Sequence, residues 1–252
     1  MSFDVAPQAY DRFMGRYSLL LSPRMADLAG VRHGQRVLDV GCGPGALTAE
    51  LVTRVGAAAV AAVDPSRPFV AAARARNPGV EVLRASAERL PFPDRSFDTA
   101  LAQLVVHFMS DPVGGLAEMA RVTRRGGVVA ACVWDHGGGQ GPLSSFWRVA
   151  RELDPAVVGE SELAGSREGH LAALFAAAGL REVEETGVAI SLRHPSFETW
   201  WEPFTLGVGP TGSYVAGLGA DRQAELREMC RTMLPTAPFV FTVRAWAARG
   251  LA

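Results

Sequence analysis

The stretch Val37-Leu38-Asp39-Val40-Gly41-Cys42-Gly43-Pro44-Gly45-Ala46-Leu47-Thr48 constrains the fold more than any other part of the chain. In it an apolar, β-branched run passes straight into a glycine-rich turn and then into a helix-forming segment. Glycines at 41, 43 and 45 remove Cβ atoms that would keep a ligand off the backbone. The helix expected over 46–55 presents unpaired N–H groups and a partial positive charge at its start. A turn of this build binds a nucleotide-like cofactor. Asp64, nineteen residues past Gly45 and at the end of a second apolar run from Ala58 to Val63, can accept from both hydroxyls of a ribose.

Two cofactor classes share this arrangement. Read as Gly41-x-Gly43-x-x-Ala46, the turn fits a dinucleotide fingerprint. Asp39, two residues before the first glycine, stands where a buried dinucleotide-binding strand is normally apolar, and a carboxylate there suits a cationic ligand. With Pro44 in the turn, the pattern Asp-x-Gly-x-Gly-x-Gly resembles the S-adenosylmethionine motif of Rossmann-like (class I) methyltransferases. Glu88-Arg89-Leu90-Pro91-Phe92-Pro93-Asp94-Arg95-Ser96-Phe97-Asp98 resembles the segment before the fourth strand in methyltransferases of the ubiquinone/menaquinone-biosynthesis type. Arg121-Val122-Thr123-Arg124-Arg125-Gly126-Gly127 resembles their turn before the fifth. The similarity covers residues 35–135 and is weaker at Tyr10–Tyr17 and at the C-terminal strand, so it bears on fold and cofactor more than on substrate.

The resemblance implies S-adenosylmethionine as cofactor and a set of binding residues. Gly41, Cys42, Gly43 and Gly45 pack against its methionyl-ribose part, Asp39 faces the methionyl ammonium through backbone or water, and Asp64 takes the ribose hydroxyls. Pro65 and Ser66 line the adenine edge. The family commonly has an acid at the Ser86 position, accepting from the adenine amino group, while the next backbone N–H, here that of Ala87, donates to the ring. A hydroxyl at 86 still accepts, without charge assistance. Gln103 is expected near the methionyl group, and Arg16 either pairs with the methionyl carboxylate or is a solvated arginine.

At 252 residues the chain is long enough for one sizeable core, and a single methyltransferase domain is expected: an N-terminal helical cap over 1–30, a cofactor-binding core over 35–135 and a lid over 195–236. Strands are predicted near 36–40, 58–63, 80–84, 97–103 and 127–134, with two more over 180–192 and 239–247. Helices are predicted over 6–29 (broken at Ser22-Pro23), 46–55, 67–76, 112–123, 143–153 and 167–178. The fold class is therefore α/β, a seven-stranded mostly parallel sheet with helices on both faces and a helical lid inserted before an antiparallel last strand.

All 25 basic residues are arginine, which excludes a Walker-type phosphate loop and a Schiff-base lysine. The net charge of −1, with acids and bases interleaved, gives no footprint for a polyanion. Partners are thus expected to be a small-molecule substrate and at most a second copy of the chain, with neither nucleic acid nor membrane. The longest apolar run, Ala57 to Val63, is far short of the ~20 residues of a membrane span, and no secretory leader opens the sequence, so a cytoplasmic location is expected. Three widely spaced cysteines argue against disulfides and zinc, and no pair of acids with an amide stands at the strand ends to hold magnesium, so no metal is expected.

Methyl transfer needs alignment and exclusion of water above all, and a base only where the acceptor arrives protonated. His107, just past the fourth strand, is the candidate base, with His136 second. Trp134, His136, Trp200 and Trp201 are the candidate acceptor-binding residues. Two other readings stay open from the sequence: a protein that binds or cyclises a substrate with the cofactor but transfers no methyl, and a nicotinamide-dependent oxidoreductase.

Overall fold

The computed structural model describes residues 6–252. Its strands are β1 (Val37–Val40), β2 (Val60–Asp64), β3 (Glu81–Arg84), β4 (Phe97–Gln103), β5 (Thr123–Trp134), β6 (Arg181–His194) and β7 (Phe239–Leu251). They form one sheet in the order β3-β2-β1-β4-β5-β7-β6. The first five are mutually parallel, and β7 runs antiparallel to both its neighbours. The order reverses between β1 and β4, and a crevice opens beyond the carboxyl ends of strands at such a reversal.

β1 and β2 are buried along their whole length, as continuous apolar strands covered on both faces must be. Side-chain alternation sorts their residues between two cores. Leu38, Val40, Ala100 and Ala102 pack on the face covered by α5 (Pro112–Val122) and α7 (His170–Ala177). Val37 and Leu101 point the other way, toward α2 (Arg16–Leu28), α3 (Ala46–Val55) and α6 (Ser144–Leu153). The same alternation puts Asp39 on the α3 face, where Thr48 donates to its Oδ2 at 2.6 Å. α4 (Arg67–Arg76) follows β2, and Ser66 caps it by accepting from the Phe69 N–H.

The N-terminal segment departs from expectation. Short α1 (Pro7–Tyr10) runs through a π turn (Asp11–Gly15) into α2, which continues unbroken past Pro23. Proline tolerates this position because the carbonyl that loses its partner belongs to Leu19, which is 62% exposed and can be hydrated. β5 begins before the predicted 127, where Thr123 pairs with Phe97 of β4, and β7 extends beyond the predicted 239–247 because it pairs with β5 from Val128↔Leu251 onward. That partnership has no local sequence signal.

The segment between β6 and β7 holds α8 (Phe197–Trp201), α9 (Gly209–Gly217) and α10 (Ala220–Met233). It is not a loose flap. Phe146 of α6 stacks on Phe204 at 4.6 Å, and Phe13 of the π turn meets Phe204 edge-on. Arg12 pairs with Glu202, and Arg16 donates to the Thr199 carbonyl at 2.8 Å. The N-terminal segment and the inserted helices are thus tied to each other over the sheet. Among the described residues no helix is long and apolar enough to cross a membrane.

Candidate active site

The turn after β1 is held by hydrogen bonds within the chain. The N–H groups of Gly41 and Cys42 both donate to the Val63 carbonyl, at 2.8 and 2.9 Å, and that of Gly43 donates to Asp64 Oδ2 at 2.9 Å. Gly41, Gly43 and Gly45 all have left-handed φ angles, of +70°, +53° and +98°. Their reasons for lacking a side chain differ. A Cβ on Gly41 would lie 2.4 Å from the Val105 side chain, and one on Gly45 would lie 2.5 Å from Asn77 Nδ2; only at Gly43 does it meet nothing within 4 Å. Gly43 alone therefore opens onto free space, while Gly41 and Gly45 let neighbouring chain segments pack closely. Cys42 is buried in the turn, where burial holds its thiol well above the ordinary range and unreactive.

A cavity of about 440 Å³ opens beyond these strand ends, within the size range of small-molecule sites. Gly41, Gly43, Asp64, Pro65, Ser66, Ser86, Ala87 and Gln103 line it, which brings together eight residues expected at the cofactor. Asp64 both lines the cavity and braces its wall, since Oδ2 takes the Gly43 N–H and Oδ1 the Ser66 N–H at 2.8 Å. Burial raises its pKa, and the two N–H donors oppose that rise. Gln103 is held by α2: its Nε2 donates to the Ser18 carbonyl and Ser22 Oγ, leaving Oε1 buried without a partner.

Four expected cofactor residues lie elsewhere. Asp39 is 1% exposed beneath the turn, bonded to Thr48, and does not line the cavity; burial pushes its pKa up to about 7. Cys42 and Gly45 support the turn from behind. Arg16 is turned toward the inserted helices by its bond to Thr199 and its stacking over Tyr17.

Other wall residues carried no recognised role. Glu88 Oε1 accepts from Ser110 N, Ser110 Oγ and Asp111 N, pinning the loop after β4; these bonds lower its pKa against burial. Leu104, at φ +62°, makes the sharp turn off β4 and lines the cavity. A left-handed leucine is rare and strained, and nothing in the sequence announces it.

A second, smaller space adjoins the first, sharing Tyr10, Leu104 and Phe108 with it. His107, Trp134, His136 and Glu160 line it together with Phe13, Met14 and the Val208–Pro210 stretch. The His107 and His136 rings lie 6.1 Å apart between centroids. Burial, with His136 adding to it, holds His107 well below the ordinary imidazole value, and burial takes His136 to about 4, so both are neutral near pH 7. Nδ1 of each, and Trp134 Nε1, are buried without hydrogen-bond partners. Glu160 was not foreseen, for it stands in a loop with no motif.

Trp200 and Trp201 do not reach either space. Trp200 is 0% and Trp201 7% exposed, and both pack among Phe197 and Phe204 in the interior of the insertion. Adjacent tryptophans on one helical turn are both absorbed because aromatic partners surround that turn on two sides, Phe146 at Trp201 and Phe241 at Trp200. Among the described residues no cluster of three His, Cys, Asp or Glu is arranged to hold a metal ion.

A mostly parallel seven-stranded sheet in this order, with its cavity at the β1/β4 reversal, defines the Rossmann-like methyltransferase fold. Residues 38–131 match the model of the methyltransferase-domain family. It is 37% identical over 124 residues to a demethylmenaquinone methyltransferase of Beutenbergia cavernae, covering 49% of this chain and 48% of that protein. It is 33% identical over 137 residues to the aklanonic acid methyltransferase of a Streptomyces species, covering 51% and 61%. The chain thus spans about half the length of these relatives. Among solved structures, the YcgJ protein from Bacillus subtilis superposes with a TM-score of 0.61 at 21% identity, over 94% of this chain and 98% of that one. The [4+2]-cyclase SpnF does so with a TM-score of 0.55 at 20% identity, over 92% and 79%. The family match sets the dinucleotide reading aside.

Proposed function

We propose that this protein transfers a methyl group from S-adenosylmethionine to a small organic acceptor. The observation that carries the reading is the nucleoside-sized cavity walled by the methyltransferase motif, beside which a space of about 30 Å³ shares Tyr10, Leu104 and Phe108 with it. The residues present fit the cofactor. Asp64 has lone pairs left for ribose hydroxyls, Gly43 leaves room beside the backbone, and the orphaned Gln103 Oε1 is an acceptor suited to an ammonium. Ser86, Ala87, Pro65 and Ser66 take the adenine end. When bound, S-adenosylmethionine supplies an electrophilic methyl on a sulfonium.

The chain's own part is to hold the acceptor in line and keep water out. Tyr10, Leu104 and Phe108 form the shared wall between the two spaces, and His107, His136 and Trp134 offer neutral hydrogen-bonding groups on the acceptor side.

A second reading is a protein that binds the cofactor without transferring its methyl. A cyclase shares the fold, so architecture alone does not separate the two. Release of S-adenosylhomocysteine that depends on an added acceptor from a metabolite panel establishes methyl transfer. Tight cofactor binding with no release across the panel favours the second reading.

A further inference from the structure

We propose that Ser22 of α2 is a positioning residue for the cofactor: with the Ser18 carbonyl it holds the Gln103 side-chain amide so that its oxygen, and not its NH2 group, meets the ammonium of S-adenosylmethionine. The inference rests on the methyltransferase reading and deepens it at the aminoacyl end. Ser18 and Ser22 are 3% and 1% exposed, one turn apart on α2 where the helix meets the end of β4. Gln103 Nε2 donates to the Ser18 carbonyl at 3.2 Å and to Ser22 Oγ at 3.1 Å. The Ser22 hydroxyl hydrogen is already engaged, because Ser22 Oγ donates to the Ser18 carbonyl at 2.7 Å. Both groups therefore face Gln103 as acceptors. An amide flipped end for end would set Oε1 against two oxygens, so the NH2 group stays on α2 and Oε1 is left for the cavity that Gln103 lines.

The oriented oxygen stands where the cavity wall offers little else to a cation. Asp39, expected from sequence at the ammonium, lies beneath the turn and does not line the cavity. Of the lining residues at the ends of β1 and β4, Gly41, Gly43, Gln103, Leu104 and Val105, Gln103 carries the one polar side chain. Its Oε1 is buried without a partner, and a buried acceptor left so is destabilising until a donor reaches it. An ammonium is a charged donor, which strengthens the bond it makes. Were the amide free to flip, its NH2 group would meet the same cation and repel it. The two serines of α2 thus act on the cofactor through Gln103, without touching it.

The test reads a ratio of two affinities. Dissociation constants of S-adenosylhomocysteine and of its des-amino analogue, which carries hydrogen in place of the ammonium, are measured by calorimetry at pH 7. The wild type should prefer the ammonium-bearing compound by roughly tenfold to a hundredfold, the range of a charge-assisted hydrogen bond. Gln103→Met, which keeps the length of the side chain and removes the amide, should cut that preference about tenfold while affinity for the des-amino analogue stays within a few-fold. Ser22→Ala releases one side of the amide and should reduce the preference by a few-fold. In a Gln103→Glu background the preference should persist, and the same Ser22→Ala change should leave it untouched, because both ends of a carboxylate are oxygens and need no orienting. Equal binding of the two compounds by the wild type, or parallel weakening of both in Gln103→Met, overturns the ammonium contact. A preference undiminished in Ser22→Ala, or diminished equally in both backgrounds, overturns the positioning role of Ser22. Failure of the wild type to bind S-adenosylhomocysteine defeats the methyltransferase reading itself.

Discussion

The two adjoining cavities are built in different ways. The larger is made of consecutive short loops at strand ends, where backbone N–H groups and glycine conformations do most of the shaping: Gly41 and Cys42 on the Val63 carbonyl, Gly43 and Ser66 on Asp64. The smaller is made of side chains from six separate stretches of chain, the end of α1 with the π turn, the loop after β4, the end of β5, Leu143 before α6, the Glu160 loop and the Val208–Pro210 stretch. A backbone-shaped wall repeats wherever its local motif recurs. A side-chain wall can change one residue at a time, which suits a site that must fit its own acceptor.

The sharpest way to break this comparison is at the inserted helices. If they only frame the acceptor side, Trp200→Ala removes a fully buried ring and should destabilise the protein by roughly 3–5 kcal/mol, with cofactor affinity of the folded fraction unchanged within a few-fold. Denaturant unfolding and calorimetry on the same variant check both. A variant of wild-type stability that has lost only acceptor turnover would put Trp200 at the ligand after all.

Each side also holds a buried carboxyl whose pKa is pushed up to about 7, Glu160 on one and Asp39 on the other, and their titration should mark the two walls separately. Between pH 4.5, the ordinary glutamate value, and about 7, the folded protein keeps a proton on Glu160 that the unfolded chain has released. Stability therefore falls across that window and levels off above it, by on the order of 3 kcal/mol. Asp39 acts in the same direction between 3.8 and about 7. Glu160→Gln should thus be more stable than the wild type at pH 8, with the advantage fading toward pH 4.5, and Asp39→Asn should behave likewise on the cofactor side. Unfolding free energies at pH 5 and pH 8 decide it; an unchanged pH slope in both variants would mean that neither group is protonated in the folded state at pH 5.

The difference in construction explains what could be read in advance. The β1 turn, Asp64 and the Ser86-Ala87 pair are local patterns, and the structure gathers Gly41, Gly43, Asp64, Ser86 and Ala87 around one cavity. The purpose of each glycine was not legible, because Val105 and Asn77, which forbid side chains at 41 and 45, come from distant segments. Arg16 is expected from sequence either at the methionyl carboxylate or in solvent; its place on the helix is visible there, but not the Thr199 carbonyl to which it donates. Glu160 and Leu104 carry no pattern at all. The adjacent tryptophans were a strong compositional signal that aromatic packing absorbed.

Asp64→Ala tests the backbone-shaped wall directly. Two N–H groups lose their acceptor and, on the proposed reading, so do the ribose hydroxyls; cofactor affinity should then fall by roughly tenfold to a hundredfold, and the unfolding midpoint should drop as well. The drop in midpoint is what separates this residue from a pure ligand contact. Lost affinity at unaltered stability would show that the turn holds its shape without Asp64.

The smallest effect is expected at Ser86, and it bears on how far the cofactor side follows its family. Ser86 is exposed on the wall of the large cavity, where the resembled enzymes commonly carry an acid. Glu88, two residues on, lines the same cavity, with its Oε1 held by Ser110 and Asp111 of the loop after β4. Ser86→Asp should therefore tighten S-adenosylmethionine binding by up to about tenfold, the difference between a neutral and a charge-assisted acceptor, while Ser86→Ala weakens it by a few-fold. Asp64 and Glu88 line the same cavity, so part of the gain is offset by repulsion among carboxylates, and that part should shrink with added salt. Calorimetric titrations of both variants at low and high ionic strength resolve the two contributions. A folded Ser86→Asp protein that binds the cofactor much more weakly at every salt concentration would mean that the adenine is held by other groups on this wall.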